Sequence, residues 1–165
     1  MPPGLGAERR ELALRPTVLC LVAFLACCAA WPSHACADCS IAVQGGVSFG
    51  IYNVFSTAPL DSTGTISYRC GNKDHGIRIT LTRGNSSTYR PRSLVSGPEL
   101  LGYNLFTDAA RTLVWGDETE GTSIYSIHNP PNLAWTDLTI FGRIPAGQDV
   151  AAGGYSDTVT VEINF

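Results

Sequence analysis

The feature that most constrains this fold is an alternation of apolar and polar side chains in short runs separated by turn residues. In the last run, apolar side chains occupy every second position: Val159, Val161, Ile163 and Phe165. Because successive side chains of a strand point to opposite faces, this pattern indicates a strand with one buried face. Residues 63–70, 77–82 and 138–143 alternate in the same way. No stretch of about 12 residues has helical periodicity, so the pattern predicts an all-β antiparallel sandwich.

A hairpin is predicted in the middle of the chain. The run at 103–107 continues at 112–115, and four residues, 108–111, separate the two segments. A loop of this length is common between antiparallel strands.

The first 37 residues have the organisation of a secretory signal peptide. Arg9, Arg10 and Arg15 precede an apolar run at 17–30, and the small residues 35–37 follow it. This order predicts cleavage after Ala37, with Ala35 as the alternative site. An uncleaved anchor is disfavoured because the run has about 14 residues and a bilayer requires roughly 20. Residues 38–165 are then a single exported domain, with no later segment able to span a membrane.

The cysteines support export to an oxidising compartment. Of six, four lie in the signal peptide or its cleavage site: Cys20, Cys27, Cys28 and Cys36. Cys39 and Cys70 remain, and two cysteines in an exported domain predict one disulfide, here between the start of the first strand and the end of the second. A redox or metal role for the Cys36–Cys39 pair is the alternative, but the sequence has no second ligand pair.

Charge and motif content argue against several function classes. Lys plus Arg total 11 against 14 for Asp plus Glu, a net charge of −3, which gives no basic field for nucleic acid or an anionic membrane. His75 and His128 lie in loop-like contexts, and the acidic residues of 117–120 lack the spacing of a calcium loop. No nucleophile has a recognisable base. We therefore expect a non-enzymatic protein with no cofactor and no metal.

One proline-rich connection is a candidate binding loop. Residues 126–135 contain Pro130 and Pro131, which exclude a central strand and predict a loop at one end of the sandwich. Its apolar side chains are Ile127, Leu133 and Trp135. If they project, they form an adhesive surface; the alternative is that Leu133 and Trp135 fold back onto the core.

Several segments, in order, resemble one bacterial family. They are FGIY at 49–52, GTISYRC at 64–70, ITLTRG at 79–84, YNLFTDAARTLVWGD at 103–117 and FGRIPAGQDVAAGGYSDTVTVEINF at 141–165. Together they resemble the spore coat protein U domain family, whose members resemble subunits of archaic chaperone-usher pili in Gram-negative bacteria. The resemblance implies an immunoglobulin-like sandwich that lacks its final strand. It also implies three partners: a periplasmic chaperone, an outer-membrane usher and a neighbouring pilus subunit.

The last run fits this implication, since the sequence stops at Phe165 with no turn after it. An open sheet edge exposes backbone groups and apolar core, and it is a template for strand addition. We expect Val159, Val161, Ile163 and Phe165 to line a groove for a donor strand or a chaperone. A complete sandwich is the alternative.

The sequence around the cleavage site has no alternating apolar segment that could serve as a donor strand. We therefore expect a subunit that accepts a strand without giving one, in a terminal or accessory position. The expected route is the periplasm and then the cell surface, a fimbria or the medium, with a role in adhesion or biofilm formation. The alternative function is a free-standing extracellular module that binds a ligand such as a glycan.

Overall fold

The computed structural model describes residues 39–71 and 76–165. These residues form eight β-strands and one short 3-10 turn, Thr119–Gly121, and they contain no α-helix. The strands are β1 Ser40–Gln44, β2 Leu60–Arg69, β3 Ile77–Leu81, β4 Arg92–Ser96, β5 Glu99–Phe106, β6 Tyr125–Ile127, β7 Thr136–Ile144 and β8 Val161–Asn164. None of the described residues belongs to a helix that could cross a membrane. The predicted signal peptide, the domain boundary after Ala37 and His75 lie outside the described ranges.

The strands form two antiparallel sheets. One has five strands in the order β1-β2-β7-β5-β4, and the other has three in the order β6-β3-β8. Side chains from both sheets meet in one core, with Ile66 and Leu138 from the larger sheet and Ile79 and Leu81 from the smaller. This confirms the predicted all-β, immunoglobulin-like antiparallel sandwich.

The predicted disulfide is confirmed. Cys39 and Cys70 are bonded, and they lie immediately before β1 and after β2. These two strands are antiparallel neighbours, with Ser40 opposite Arg69. The bond therefore joins the two strands at the end of the sandwich where β2 finishes.

The predicted hairpin is present, although its second arm is not a regular strand. Residues 103–106 lie in β5, and the Arg111 N–H donates to the Asp108 carbonyl across the turn. Residues 112–115 pair with the end of β5 through the bridge between Phe106 and Val114. The Thr107 N–H donates to the Leu113 carbonyl, and the Trp115 N–H donates to the Leu105 carbonyl. The pairing ends at Trp115, which is buried, donates its indole N–H to the Ile79 carbonyl and forms its own bridge with Ser123.

The last run is strand only over β8, Val161–Asn164, which is shorter than predicted. Its partner β3 ends at Leu81, and the chain then leaves the sheet at Gly84, where φ is +67°. Directly before β8, the Thr82 N–H donates to the Thr160 carbonyl. The alternating burial nevertheless continues through residues 155–164.

Candidate strand-accepting groove

The second layer of the sandwich is incomplete at one end. The three-stranded sheet covers the part of the larger sheet that holds Ile66 and Leu138. At the other end, where β2 begins and β7 finishes, the inner face is covered by two segments that are not strands, residues 46–54 and 148–160. A groove opens between these two segments.

The first wall of the groove, residues 47–54, lies across the inner face of β2 and β7. Val47 and Phe49 occupy the space that side chains at Gly64 and Gly142 would fill, since a Cβ on Gly142 would lie 2.7 Å from the Phe49 ring. The Phe49 ring also makes an edge-to-face contact with Tyr103, with ring centroids 5.9 Å apart. Within the described ranges, residues 47–52 form no backbone-to-backbone hydrogen bond. The Ser48 carbonyl accepts a hydrogen bond from the Ser62 hydroxyl, and the other peptide groups of this segment make no backbone pairing.

The second wall, residues 150–157, continues into β8. Ser156 exchanges two backbone hydrogen bonds with Val95, at 2.8 and 3.1 Å, which ties this wall to the edge strand β4. The Asp157 carboxylate accepts hydrogen bonds from the Tyr103 hydroxyl at 2.7 Å and from the Asn85 N–H at 2.8 Å. Burial, with a smaller contribution from Asp157, raises the pKa of the Tyr103 phenol, so this hydrogen bond persists over the physiological pH range.

The floor of the groove is apolar. Leu101 and Ile144 are buried in the core, and Leu94 and Val150 pack against them. The groove has a volume of about 1000 Å³ between these residues and the two walls. An apolar floor between two backbone walls suits an extended peptide whose alternate side chains point inward.

The final strand has one unpaired edge. Among the described residues, β3 is the only strand that pairs with β8. Val159, Val161 and Ile163 are half-buried against the core, and the Phe165 side chain is about half exposed. Three of the four residues predicted to line a groove thus lie on the inner face of the open edge strand or just before it, and none of the four is among the residues that line the groove described above.

Comparison with known proteins identifies the family. The sequence model of the family described as Spore Coat Protein U domain matches residues 25–162 of this chain. The chain belongs to this family. Protein U of Myxococcus xanthus is 31% identical to this chain over 147 residues, which cover 79% of this chain and 78% of Protein U. The resemblance noted in the sequence is therefore confirmed.

A solved structure shows the same fold in part of a longer chain. One chain of the CsuC–CsuE chaperone–tip adhesion subunit pre-assembly complex, from archaic chaperone-usher Csu pili of Acinetobacter baumannii, is 25% identical to this protein, with a TM-score of 0.52. The match covers 78% of this spore coat protein U domain protein and 40% of that chain. The protein thus spans less than half the length of the solved chain that it matches.

The predicted loop at 126–135 is shorter than expected, because Ser126 and Ile127 belong to β6 and Ile127 packs against the core. Leu133 and Trp135 lie beyond it with exposed fractions of 62% and 52%. The Leu133 N–H donates to the Cys70 carbonyl at 2.8 Å, and the Arg69 guanidinium lies 5.2 Å from the Trp135 ring centroid. The loop is thereby held against the disulfide end of β2, away from the groove.

The polar residues considered for chemistry are dispersed or paired. Glu118 and Glu120 form ion pairs with Arg78 and Arg83. His128 is exposed, and no group of His, Cys, Asp and Glu within the described ranges could hold a metal ion. The acidic turn thus stabilises the loop around residue 120.

The alternation of apolar and polar residues did not predict the first wall of the groove. Residues 47–54 contain Ile51, Tyr52 and Val54, which line the groove, but they entered the sequence analysis only through the FGIY motif. The available signal was a set of apolar residues at 47, 49, 51, 52, 54 and 55 in a segment whose glycines, at 45, 46 and 50, rule out a regular strand.

Proposed function

We propose that this protein is a secreted, non-enzymatic pilus or surface-assembly subunit that accepts a donor strand. The strand comes first from a periplasmic chaperone and then from a neighbouring subunit, and an outer-membrane usher mediates the exchange. The observation that carries the proposal is the unpaired edge of β8 beside an apolar groove. Family membership and the likeness to a structure of a chaperone–tip subunit complex support it.

Strand addition uses what both walls offer. An extended peptide in the groove would bond to the unpaired edge of β8 on one side and, on the other, to the peptide groups of residues 47–52 apart from the Ser48 carbonyl, which Ser62 occupies. Its alternate side chains would cover Leu101 and Ile144 and replace the missing part of the second layer. Main-chain hydrogen bonds would provide affinity, and the apolar floor would favour apolar side chains at alternate positions of the inserted strand.

The proposal includes export and position. The signal peptide at 1–37 directs the chain to the periplasm, and assembly then carries it to the cell surface, a fimbria or the medium. Cleavage after Ala37 leaves Asp38 before Cys39, with no alternating apolar segment in the sequence around it. We therefore assign a terminal or accessory position in a fibre.

Hydrogen exchange on a strand-bound complex tests the proposal. The mature chain is refolded with a synthetic peptide in which valine alternates with threonine and lysines flank the ends. We expect slow exchange of peptide groups in 159–164 and 47–52. β1 is the internal control, because it is also an edge strand and its outer edge should exchange rapidly. Rapid exchange in both 159–164 and 47–52, with or without protection of β1, would contradict strand acceptance at this site.

An adhesive role for the loop at 128–135 is a second proposal. It is favoured by the exposure of Leu133 and Trp135, because apolar side chains at a loop tip suit contact with hydrophobic surfaces. Free-standing ligand binding remains the alternative, with Trp135 stacking on a glycan.

Replacing both residues by serine tests this role. The Leu133→Ser, Trp135→Ser variant should be secreted normally and should lose most adhesion to polystyrene, whereas Leu100→Ser, at another exposed site, should adhere normally. Loss of glycan binding with unchanged adhesion would favour the ligand-binding module, and loss of secretion would assign both residues to the core.

A further inference from the structure

The turn at the mouth of the groove carries the two most exposed large apolar side chains among the described residues. Ile51 has an exposed fraction of 92% and Phe55 of 90%. Leaving two such side chains in water costs free energy that burial against a partner would recover. Ile51 also lines the groove, together with Asn53 and Val54. Phe55 follows Val54 in the same turn but is not itself among the residues that line the groove.

The turn is braced in this conformation. The Asn53 side-chain oxygen accepts a hydrogen bond from the Phe55 N–H at 3.0 Å, and the Asn53 carbonyl accepts one from the Ser56 N–H at 3.0 Å. The Tyr52 hydroxyl donates to the Pro145 carbonyl and accepts from the Gln148 N–H. These bonds anchor the turn to the end of β7, so Ile51 and Phe55 are presented by a fixed backbone.

The chain segment that contains the second wall and β8 carries charge of one sign. Residues 145–165 contain three acidic residues, Asp149, Asp157 and Glu162, and no Lys or Arg, while residues 45–60 contain no charged residue. Asp149 and Glu162 are exposed, and Glu162 lies on the outer face of the edge strand β8. Opposite charges on neighbouring strands attract, so the walls favour a strand with basic side chains on its outer face.

We propose that Ile51 and Phe55 form an apolar rim that covers a strand inserted into the groove by a partner protein. The strand has apolar residues at alternate positions and basic residues between or beside them. This inference rests on the proposed function and extends it, because it names a contact outside the two backbone walls. Contact of the Ile51 and Phe55 side chains with the inserted strand would slow the dissociation of that strand.

The dissociation rate of a bound peptide tests the rim. The mature chain is refolded with the fluorescent form of the lysine-flanked valine–threonine peptide, and release is followed by anisotropy after excess unlabelled peptide is added. We expect the Ile51→Ser, Phe55→Ser variant to release the peptide roughly tenfold faster or more. The matched control is Leu100→Ser, Leu113→Ser, which removes two apolar side chains at least half exposed elsewhere and should release at the wild-type rate.

A second peptide, with glutamates replacing the lysines, tests the charge of the partner. It should leave the wild-type protein faster than the lysine peptide, and the difference should shrink as salt is added. Equal rates for the two peptides would overturn the basic character of the strand.

The outcomes separate the rim from the groove. If wild type and rim variant release the lysine peptide at the same rate, the rim is wrong and the groove stands. If neither protein binds the peptide and hydrogen exchange stays rapid in 159–164 and 47–52, the proposed function and the rim are both wrong. If the double variant refolds poorly, the release rate of the lysine peptide from Phe55→Ser alone is compared with wild type, since Phe55 does not line the groove.

Discussion

Arg92 is a charged residue that the sandwich buries completely. Its guanidinium donates to the Thr82 carbonyl through two nitrogens, at 3.1 and 2.9 Å, to the Trp115 carbonyl at 2.7 Å and to the Asn104 side-chain oxygen at 3.1 Å. Burial lowers the pKa of Arg92, and nearby tyrosines and carboxylates oppose this effect. One side chain thus satisfies carbonyl groups that no strand ladder reaches, which makes Arg92 a link between β4, β5 and the chain around Trp115.

Replacing Arg92 by leucine should be strongly destabilising. The change leaves the Thr82 and Trp115 carbonyls without these donors, and the expected loss in the free energy of unfolding is about 3 to 5 kcal/mol. Urea unfolding followed by tryptophan fluorescence, with the same donor peptide present for every variant, measures it. Arg78→Leu is the control, because it breaks only the exposed ion pair with Glu118 and should cost less than about 1 kcal/mol. Equal losses for the two variants would contradict this role of Arg92.

Asp61 gives the stability a dependence on acid pH. Arg143 donates to both of its carboxylate oxygens, at 2.7 and 2.8 Å, and Arg111 lies 3.3 Å away. The hydrogen bond from Arg143 lowers the pKa of Asp61 below its usual 3.8. A lowered folded-state pKa contributes stability that is present above the unfolded pKa and is lost as pH falls through the folded value.

Asp61→Asn should therefore flatten the stability curve below about pH 4. At pH 6 the variant should be less stable by at most about 1 kcal/mol, because the side chain is about a third exposed and solvent screens the pair. Urea midpoints at several pH values between 2 and 6 measure both effects. Asp149→Asn, at an exposed position, is the control and should keep the wild-type slope. An unchanged acid slope in Asp61→Asn would refute the assignment.

At the scale of elements, two glycines shape the groove. Gly64 in β2 and Gly142 in β7 lie on the inner face, where they leave room for Val47 and Phe49. A Cβ on Gly64 would lie 2.6 Å from the Gly46 backbone oxygen, whereas one on Gly142 would meet the Phe49 ring first. Backbone moves less readily than a ring, so the two sites should differ in tolerance.

Gly64→Ala should displace the first wall and destabilise the domain by about 1 to 3 kcal/mol. Gly142→Ala should cost less, because the Phe49 ring can rotate away. Urea unfolding ranks the variants, and Gly154→Ala is the matched control, since nothing lies within 4 Å of its Cβ. A Gly64→Ala variant as stable as Gly154→Ala would mean that residues 46–49 are not packed on β2.

The alternating pattern predicted the strands whose apolar side chains alternate and missed β4 and β6. β2, β3 and β7 were predictable because each has one face in the core and one in water. β4 was not, because its buried Arg92 breaks the apolar alternation, and β6 has only three residues. The first wall of the groove depends on long-range packing against Gly64 and Gly142, which no local periodicity records. The edge strand β8 was predictable from sequence, whereas the opposite side of the groove was not.

The whole sandwich is closed at one end and open at the other. The Cys39–Cys70 disulfide and the loop at 128–135 lie where β2 finishes, and the groove lies where β2 begins. Closing a loop of this length contributes about 3 to 4 kcal/mol in the chain-entropy model. The disulfide stabilises β1 on β2, but it leaves the incomplete second layer without cover.

The stability of the whole molecule should therefore depend on a partner strand. We expect the mature chain, exported without a chaperone, to aggregate or be degraded, because the apolar floor, the first wall and the unpaired edge of β8 remain open to water and to other chains. Co-expression with the cognate chaperone, or refolding with the lysine-flanked peptide, should restore soluble protein, since a ligand that binds only the folded state stabilises it by mass action. Soluble yield, and the rise of the melting temperature with the concentration of added peptide, measure this dependence.

A variant with Val161→Asp and Ile163→Asp, which places charge on the inner face of β8, should not be rescued by either partner, whereas Glu162→Gln on the outer face should be. A monomer that melts cooperatively at high temperature with no partner would show that the sandwich is complete on its own.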